Sequence, residues 1–158
     1  MYITYNDYVS FYGDDRIPQN LFERLAMEAD RIMDTYTTGI DNYRKLKEAF
    51  PTDEVDARMV KFCCARLVDI LWQIYEAGEA ARMVTTENGS HSGMISSVSA
   101  GNESISYGSA DNSLVGKAAA NLSTRAKLID DVVQGALHGM TDANGINLLY
   151  LGVYPVRG

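Results

Sequence analysis

The sequence predicts a mainly α fold: a small helical bundle with a long central helix, one β-hairpin insertion and extended N- and C-terminal segments. Three observations lead there. Apolar residues recur at i, i+4 and i+7 over several long stretches, the spacing of one helical face. Two short arms, Ile95-Ser96-Ser97-Val98 and Ser104-Ile105-Ser106-Tyr107, flank a turn-prone Ala100-Gly101-Asn102. Their β-branched, aromatic and small polar residues read as a hairpin over about 94–108. Both ends of the chain carry clustered aromatic or apolar residues among turn formers, so each must cover something apolar. At 158 residues a single domain, 1–158, is expected.

Taken in order, residues 1–16 hold Tyr2, Tyr5, Tyr8, Phe11 and Tyr12, spaced for a helical turn or an extended strap. A helix is predicted from about Pro18 to Tyr36, since proline suits the first turn. Leu21, Leu25, Ala29, Ile32, Met33 and Tyr36 would form its face, with Gly39 as the residue after the cap. A short helix follows over Asp41–Ala49 and stops before Pro51. Thr52 or Asp53 would cap the longest helix, which runs to about Arg82. Its apolar face is read as Val55, Met59, Phe62, Leu67, Ile70, Leu71, Ile74 and Ala77, with Trp72 and Tyr75 on a second buried face. After the hairpin, Leu114, Ala118, Leu122, Ala126, Ile129, Val133 and Leu137 predict one helix over about 114–137, with Gly116 a soft spot. Met140–Ile146 is turn-rich, and an apolar tail over about 147–158 closes the chain.

Composition narrows the function. A net charge of −7 argues against a primary binder of nucleic acid or anionic membrane, whose footprint is a basic patch. No apolar run approaches the roughly 20 residues of a membrane helix, and Met1-Tyr2-Ile3-Thr4-Tyr5 lacks the basic start and apolar core of a secretory signal. Cys63 and Cys64 are adjacent on a helical pattern, where they read as buried structural thiols in a reducing cytoplasm.

A search for chemistry finds little. Two histidines, His91 and His138, with Cys63-Cys64 give no zinc-ligand spacing, so neither metal nor cofactor is expected. Gly89-Ser90-His91-Ser92-Gly93 is not a nucleophile elbow, because its middle residue is histidine. Asp130 and Asp131 point about 100° apart on a helix and read as a solvated face. There is no phosphate-binding glycine motif, and the tyrosine-rich start lacks the interleaved Lys and Arg of a base-stacking platform. A non-enzymatic protein is expected.

The order of features carries more than any one of them. The chain opens Met1-Tyr-Ile-Thr-Tyr-Asn-Asp-Tyr, continues through Leu21-Phe-Glu-Arg-Leu-Ala and Ala29-Asp-Arg-Ile-Met-Asp-Thr-Tyr-Thr, then a long helix. It proceeds through Ile95-Ser-Ser-Val-Ser-Ala-Gly-Asn-Glu-Ser-Ile-Ser-Tyr and closes with Leu148-Leu-Tyr-Leu-Gly-Val. This order resembles the tailed-phage head–tail connector family, also called head-completion or adaptor proteins. The stretch from Gly116 to Asn147 is longer than the family pattern.

The resemblance implies a structural virion protein at the head–tail junction, assembled in the host cytoplasm. It implies a homo-oligomeric ring, usually dodecameric, below the portal protein of the filled capsid. A stopper or tail-completion protein would dock beneath, and DNA would pass through without sequence-specific binding. On this reading Trp72, Tyr75, Ile95, Val98, Ile105 and Tyr107 lie between subunits, the hairpin offering a free edge for a neighbour. Leu149, Tyr150, Leu151, Val153, Tyr154, Val156 and Arg157 form a portal-binding tail, unless Leu148–Val153 folds back on the chain's own helices. The rival of another class is a cytoplasmic helical protein-binding module without enzymatic activity; a small hydrolase stands further off.

Overall fold

The computed structural model describes residues 1–13, 15–82, 98–100, 103–105 and 113–155. The chain is mainly α. In order come α1 (Tyr5–Tyr12), α2 (Gln19–Thr37), α3 (Lys45–Glu48), α4 (Glu54–Arg82), β1 (Val98–Ala100), β2 (Glu103–Ile105), α5 (Leu114–Ala120) and α6 (Leu122–Leu137). Two compact units divide it, Met1–Asp69 with Ile129–Gly158 as the first and Ile70–Leu128 as the second. The division falls inside α4 and α6.

The start of the chain is a capped helix, not an extended segment. Thr4 Oγ1 accepts from the Asp7 amide at 3.1 Å, and an Asp7 carboxylate oxygen accepts from the Thr4 amide at 2.9 Å. This reciprocal box satisfies two of the amides that a helix start leaves unpaired. Gly13 closes α1 at φ +72°, its N–H donating to Val9 O at 2.7 Å. The aromatic spacing then puts Tyr8 in the core. Its ring lies 5.7 Å from Phe22, and Tyr5 meets Phe22 edge-on at 5.3 Å.

Helix α2 starts one residue later than expected, with Pro18 at the cap itself. Its buried face is Phe22, Leu25, Ala26, Ala29, Met33 and Thr37, so Leu21, Ile32 and Tyr36 lie at its margin, half-buried. Gly39 follows the cap as expected, but for another reason. Its backbone is not left-handed; a Cβ there would stand 2.6 Å from Gly152 O. The short helix begins only at Lys45, because the preceding residues are spent on a turn. Asn42 takes φ +62°, Thr38 bridges Arg44, and the Gly39 amide donates to Tyr43 O at 3.1 Å.

Asp53 caps α4, accepting from the Val55 and Asp56 amides at 2.9 and 3.0 Å. At 29 residues the helix is about 44 Å long. The expected Leu67, Leu71 and Ile74 are buried, but in the first unit α4 also buries Val60, Cys63, Cys64 and Val68, while the expected Val55 is exposed and Met59 and Phe62 are half-buried. The small thiols bring α4 close to α2: Cys64 Sγ lies 3.5 Å from Asp30 Oδ1. The expected single helix over 114–137 is two. Asn121 leaves helical geometry at φ −136°, ends α5 by donating to Lys117 O, and caps α6 through Oδ1 on the Ser123 and Thr124 amides. An asparagine side chain competes for backbone amides better than Gly116 loosens a helix. Leu114 and Leu122, members of the repeat that predicted the single helix, are exposed at 57% and 83%.

β1 and β2 pair antiparallel, with Val98 opposite Ile105, Ser99 opposite Ser104 and Ala100 opposite Glu103. The outer arms of the expected hairpin, including Ile95 and Tyr107, lie outside the described residues, as do Val156 and Arg157.

The buried acids give the fold a pH signature. Burial pushes the Cys63 thiol from its ordinary 9.0 up to about 12. Burial, helped by the Asp69 carboxylate, moves Tyr12 from 10.0 to about 12. Tyr2, Tyr8 and Cys64 move the same way, burial again leading. The unfolded chain releases these protons first. Their stabilising effect is therefore full below pH 9.0 and is lost as pH climbs toward about 12. The urea midpoint is expected to hold between about pH 7 and pH 8 and to fall steadily above about pH 9. A midpoint flat into strong alkali would contradict this packing.

Candidate functional site: an apolar groove and a clasped C-terminal segment

Two surface features of the first unit bring together residues with something to bind. The first is an open groove of about 580 Å³ between α1 and the start of α4, lined by Ser10, Phe11, Glu54, Val55, Arg58, Met59 and Phe62. Two of its lining residues, Phe11 and Phe62, meet edge-on at 5.4 Å. Lys61 Nζ pairs with Asp7 Oδ1 at 3.2 Å and ties α1 to α4 beside it. Val55 stands 65% exposed. Residues that the sequence reading assigned to the core thus form a surface, because α4 spends its other face on α2.

The second feature is the C-terminal segment, and its organiser is Lys45. This side chain is 1% exposed. Its ammonium donates to Thr37 O at 2.9 Å, to Leu148 O at 3.2 Å and to Tyr150 O. Three donors meet three acceptors, so the buried cation is fully hydrogen-bonded. Burial lowers its pKa, while the Asp142 and Asp41 carboxylates oppose that shift. A lowered value in the folded chain makes Lys45, taken alone, favour stability as pH rises toward 10.5, opposite in sign to the tyrosines.

Other bonds hold the segment in register. The Ile40 amide donates to Leu151 O at 2.8 Å. The Tyr154 amide donates to Asp41 Oδ2 at 3.2 Å, and its ring stacks on Tyr43 with centroids 3.8 Å apart. Tyr154 Oη donates to Asp142 Oδ2 at 2.6 Å and accepts from Asn144 Nδ2 at 2.9 Å. Burial, then the Asp142 bond, pushes this phenol up to about 12. Asp142 also folds its own turn, its Oδ1 accepting from the Asn144 and Ile146 amides, with Gly145 at φ +75°. Gly152 leaves room for the Tyr150 ring, whose Oη would lie 2.3 Å from a Cβ there.

The sequence-predicted site residues separate accordingly. Tyr154 is buried and Leu149 half-buried, whereas Tyr150, Leu151 and Val153 are exposed at 46%, 47% and 60%. Within Leu148–Val153, the stretch of the fold-back alternative, Leu148 is buried while Tyr150, Leu151 and Val153 are not; Tyr154, assigned to the portal-binding tail, is instead buried against the chain's own Tyr43 and Asp142. Trp72 and Tyr75 stack at 5.8 Å on α4 in the second unit, Trp72 half-buried and Tyr75 40% exposed. Val98 and Ile105 are cross-strand partners. Lys45 and the Phe11–Val55 groove were missed. Nothing in the local pattern marks one lysine of Arg44-Lys45-Leu46-Lys47 as buried. The groove had a signal in the capping pair Thr4 and Asp7, which would have placed α1.

Among the described residues, no three His, Cys, Asp or Glu side chains gather where they could hold a metal ion. Among them, no helix is long and apolar enough to cross a membrane. The buried thiols have raised pKa values and low thiolate content. The chain matches no family model, no curated protein and no solved structure.

Lys45→Met keeps the side-chain length and leaves two buried carbonyls and one part-buried carbonyl without their ammonium donor. It is expected to cost at least about 2 kcal/mol of stability, read from the urea midpoint. A loss below about 0.5 kcal/mol, the range of ordinary surface substitutions, would show that the ammonium is not structural.

Proposed function

We propose that this chain is a structural, non-enzymatic subunit of the head–tail junction of a tailed-phage virion. Its copies form a ring, probed below, that attaches under the portal, lines the DNA channel and offers the docking surface for a stopper or tail-completion protein. One observation carries the reading. Large apolar side chains are exposed at separate places: Val55 in the groove, Leu151 and Val153 on the C-terminal segment, Leu114 and Leu122 in the second unit. Where such side chains cluster, as along the groove, they mark surfaces for a partner. A ring subunit needs two unlike ones for its neighbours and a third for what it sits upon.

The finer parts of the reading follow from that role. The bundle is built on the long helix α4, and the hairpin over about 94–108 is an insertion that a neighbour's strand extends. Trp72 and Tyr75 pack between subunits beside Ile95, Val98, Ile105 and Tyr107. The tail from Leu149 to Arg157 reaches the portal, with Tyr150, Leu151 and Val153 as its apolar contact and Tyr154 as its root. The net charge of −7 suits a channel that DNA traverses without adhering.

Mixing the chain with portal protein and imaging the product tests the whole. A ring of this chain beneath the portal is expected; a monomer or dimer that never forms rings there would favour the helical binding module. Two variants divide the surfaces. Leu151→Asp with Val153→Asp changes exposed residues, so the melting temperature is expected to hold while portal binding weakens at least tenfold, about 1.4 kcal/mol. Undiminished binding would remove the tail from the interface. Ile105→Asp with Tyr107→Asp is expected to stop ring formation and leave the helices intact by circular dichroism. Normal rings would exclude the hairpin as a contact.

A further inference from the structure

We propose that the groove between α1 and α4 is the seat for the Leu122 region of a second copy of this chain, in a head-to-tail contact. Shape comes first. The groove is concave and apolar, with Phe11, Val55, Met59 and Phe62 along it. Two grooves brought face to face would enclose a void, so a symmetric pairing does not fill either. What fills a groove is a projecting apolar side chain. Leu122, 83% exposed at the first position of α6, is the most exposed of the chain's large apolar side chains among the described residues. Ala126, one turn on, is exposed beside it and extends the apolar strip without blocking approach.

Charge favours the same pairing. From Ser113 to Leu128 the chain carries Lys117, Arg125 and Lys127 and no acid. Of the charged residues at the opening of α4, Glu54 and Arg58 line the groove itself, Asp53 caps the helix, Asp56 is held by Thr141 and Lys61 is paired with Asp7. The cationic strip beside the apolar knob therefore meets an apolar groove that offers it the Glu54 carboxylate, with the Arg58 guanidinium to be kept clear of it, which orients the encounter. The groove and the knob are different surfaces of one chain. Each copy offers both, so the contact repeats from copy to copy and closes into a ring when the rotation per step allows. The proposal rests on the assembling reading above, but it needs no portal.

Site-directed cross-linking tests it without portal present. Val55→Cys and Leu122→Cys both replace exposed side chains, and the native thiols are buried. Under mild oxidation, a mixture of the two single variants is expected to give a disulfide-linked dimer with one chain of each kind. Each variant alone is expected to stay uncross-linked, and the double variant to give a ladder of chain multiples. Three outcomes would overturn the proposal. Equal cross-linking of each variant with itself would mean a symmetric contact or random collision. A double variant that closes within one chain would mean that the knob serves its own subunit. No cross-link in any sample, with folding verified by circular dichroism, would give the groove to a different partner. Failure here leaves the portal images to be judged on their own, and failure to bind portal leaves this contact standing.

Discussion

One buried ammonium organises the C-terminal segment of this protein. Lys45 reaches from the short helix α3 to Thr37 O at the end of α2 and to Leu148 O and Tyr150 O of the C-terminal segment. Charged groups leave water only when every donor is used, and here the count of donors equals the count of carbonyls. The carbonyls gain as much as the lysine, since neither a helix end nor an irregular segment offers them amides. The result is a joint between parts of the chain separated by 103 and 105 positions. Without it the C-terminal residues would keep the Ile40 and Tyr154 contacts but lose the anchor that fixes their path.

That path decides which residues meet solvent. Leu148 and Tyr154 turn inward, and the residues between them turn Tyr150, Leu151 and Val153 outward. The close approach of Gly39 and Gly152 permits the crossing, since a Cβ on Gly39 would collide with the opposite carbonyl. An apolar edge held on a rigid base loses little entropy when a partner covers it. The groove between α1 and α4 has the same character: α1 is fixed by its capping box and by the Lys61–Asp7 pair, so its apolar lining is presented rather than collapsed.

Periodicity made much of the fold legible. The spans of α2 and α4 follow their apolar spacing, Asp53 caps where an aspartate before such a run should, and the turn at Met140–Ile146 follows from Asp142, Asn144 and Gly145. What periodicity cannot supply is the azimuth of a helix that has apolar residues on two sides. On α4 the first unit buries the face of Val60, Cys63 and Cys64, where Cys64 meets Asp30 of α2, and leaves Val55 exposed. The break at Asn121 was hidden for a related reason: the leucine spacing continues through it, and only the side chain's competition for amides ends α5. The site was legible in part. The apolar tail was visible as composition, but its division into inward and outward residues depends on Lys45, two of whose three partners are over a hundred positions away.

Amide hydrogen exchange on the intact protein tests this account most directly. The Ile40 amide bonded to Leu151 O and the Leu148 amide bonded to Met140 O are expected to be protected to the level of the buried stretch of α4 around Val60 to Val68. Free exchange at Ile40 and Leu148 while α4 stays protected would mean that the C-terminal segment is not clasped, and the surface it is said to present would not exist.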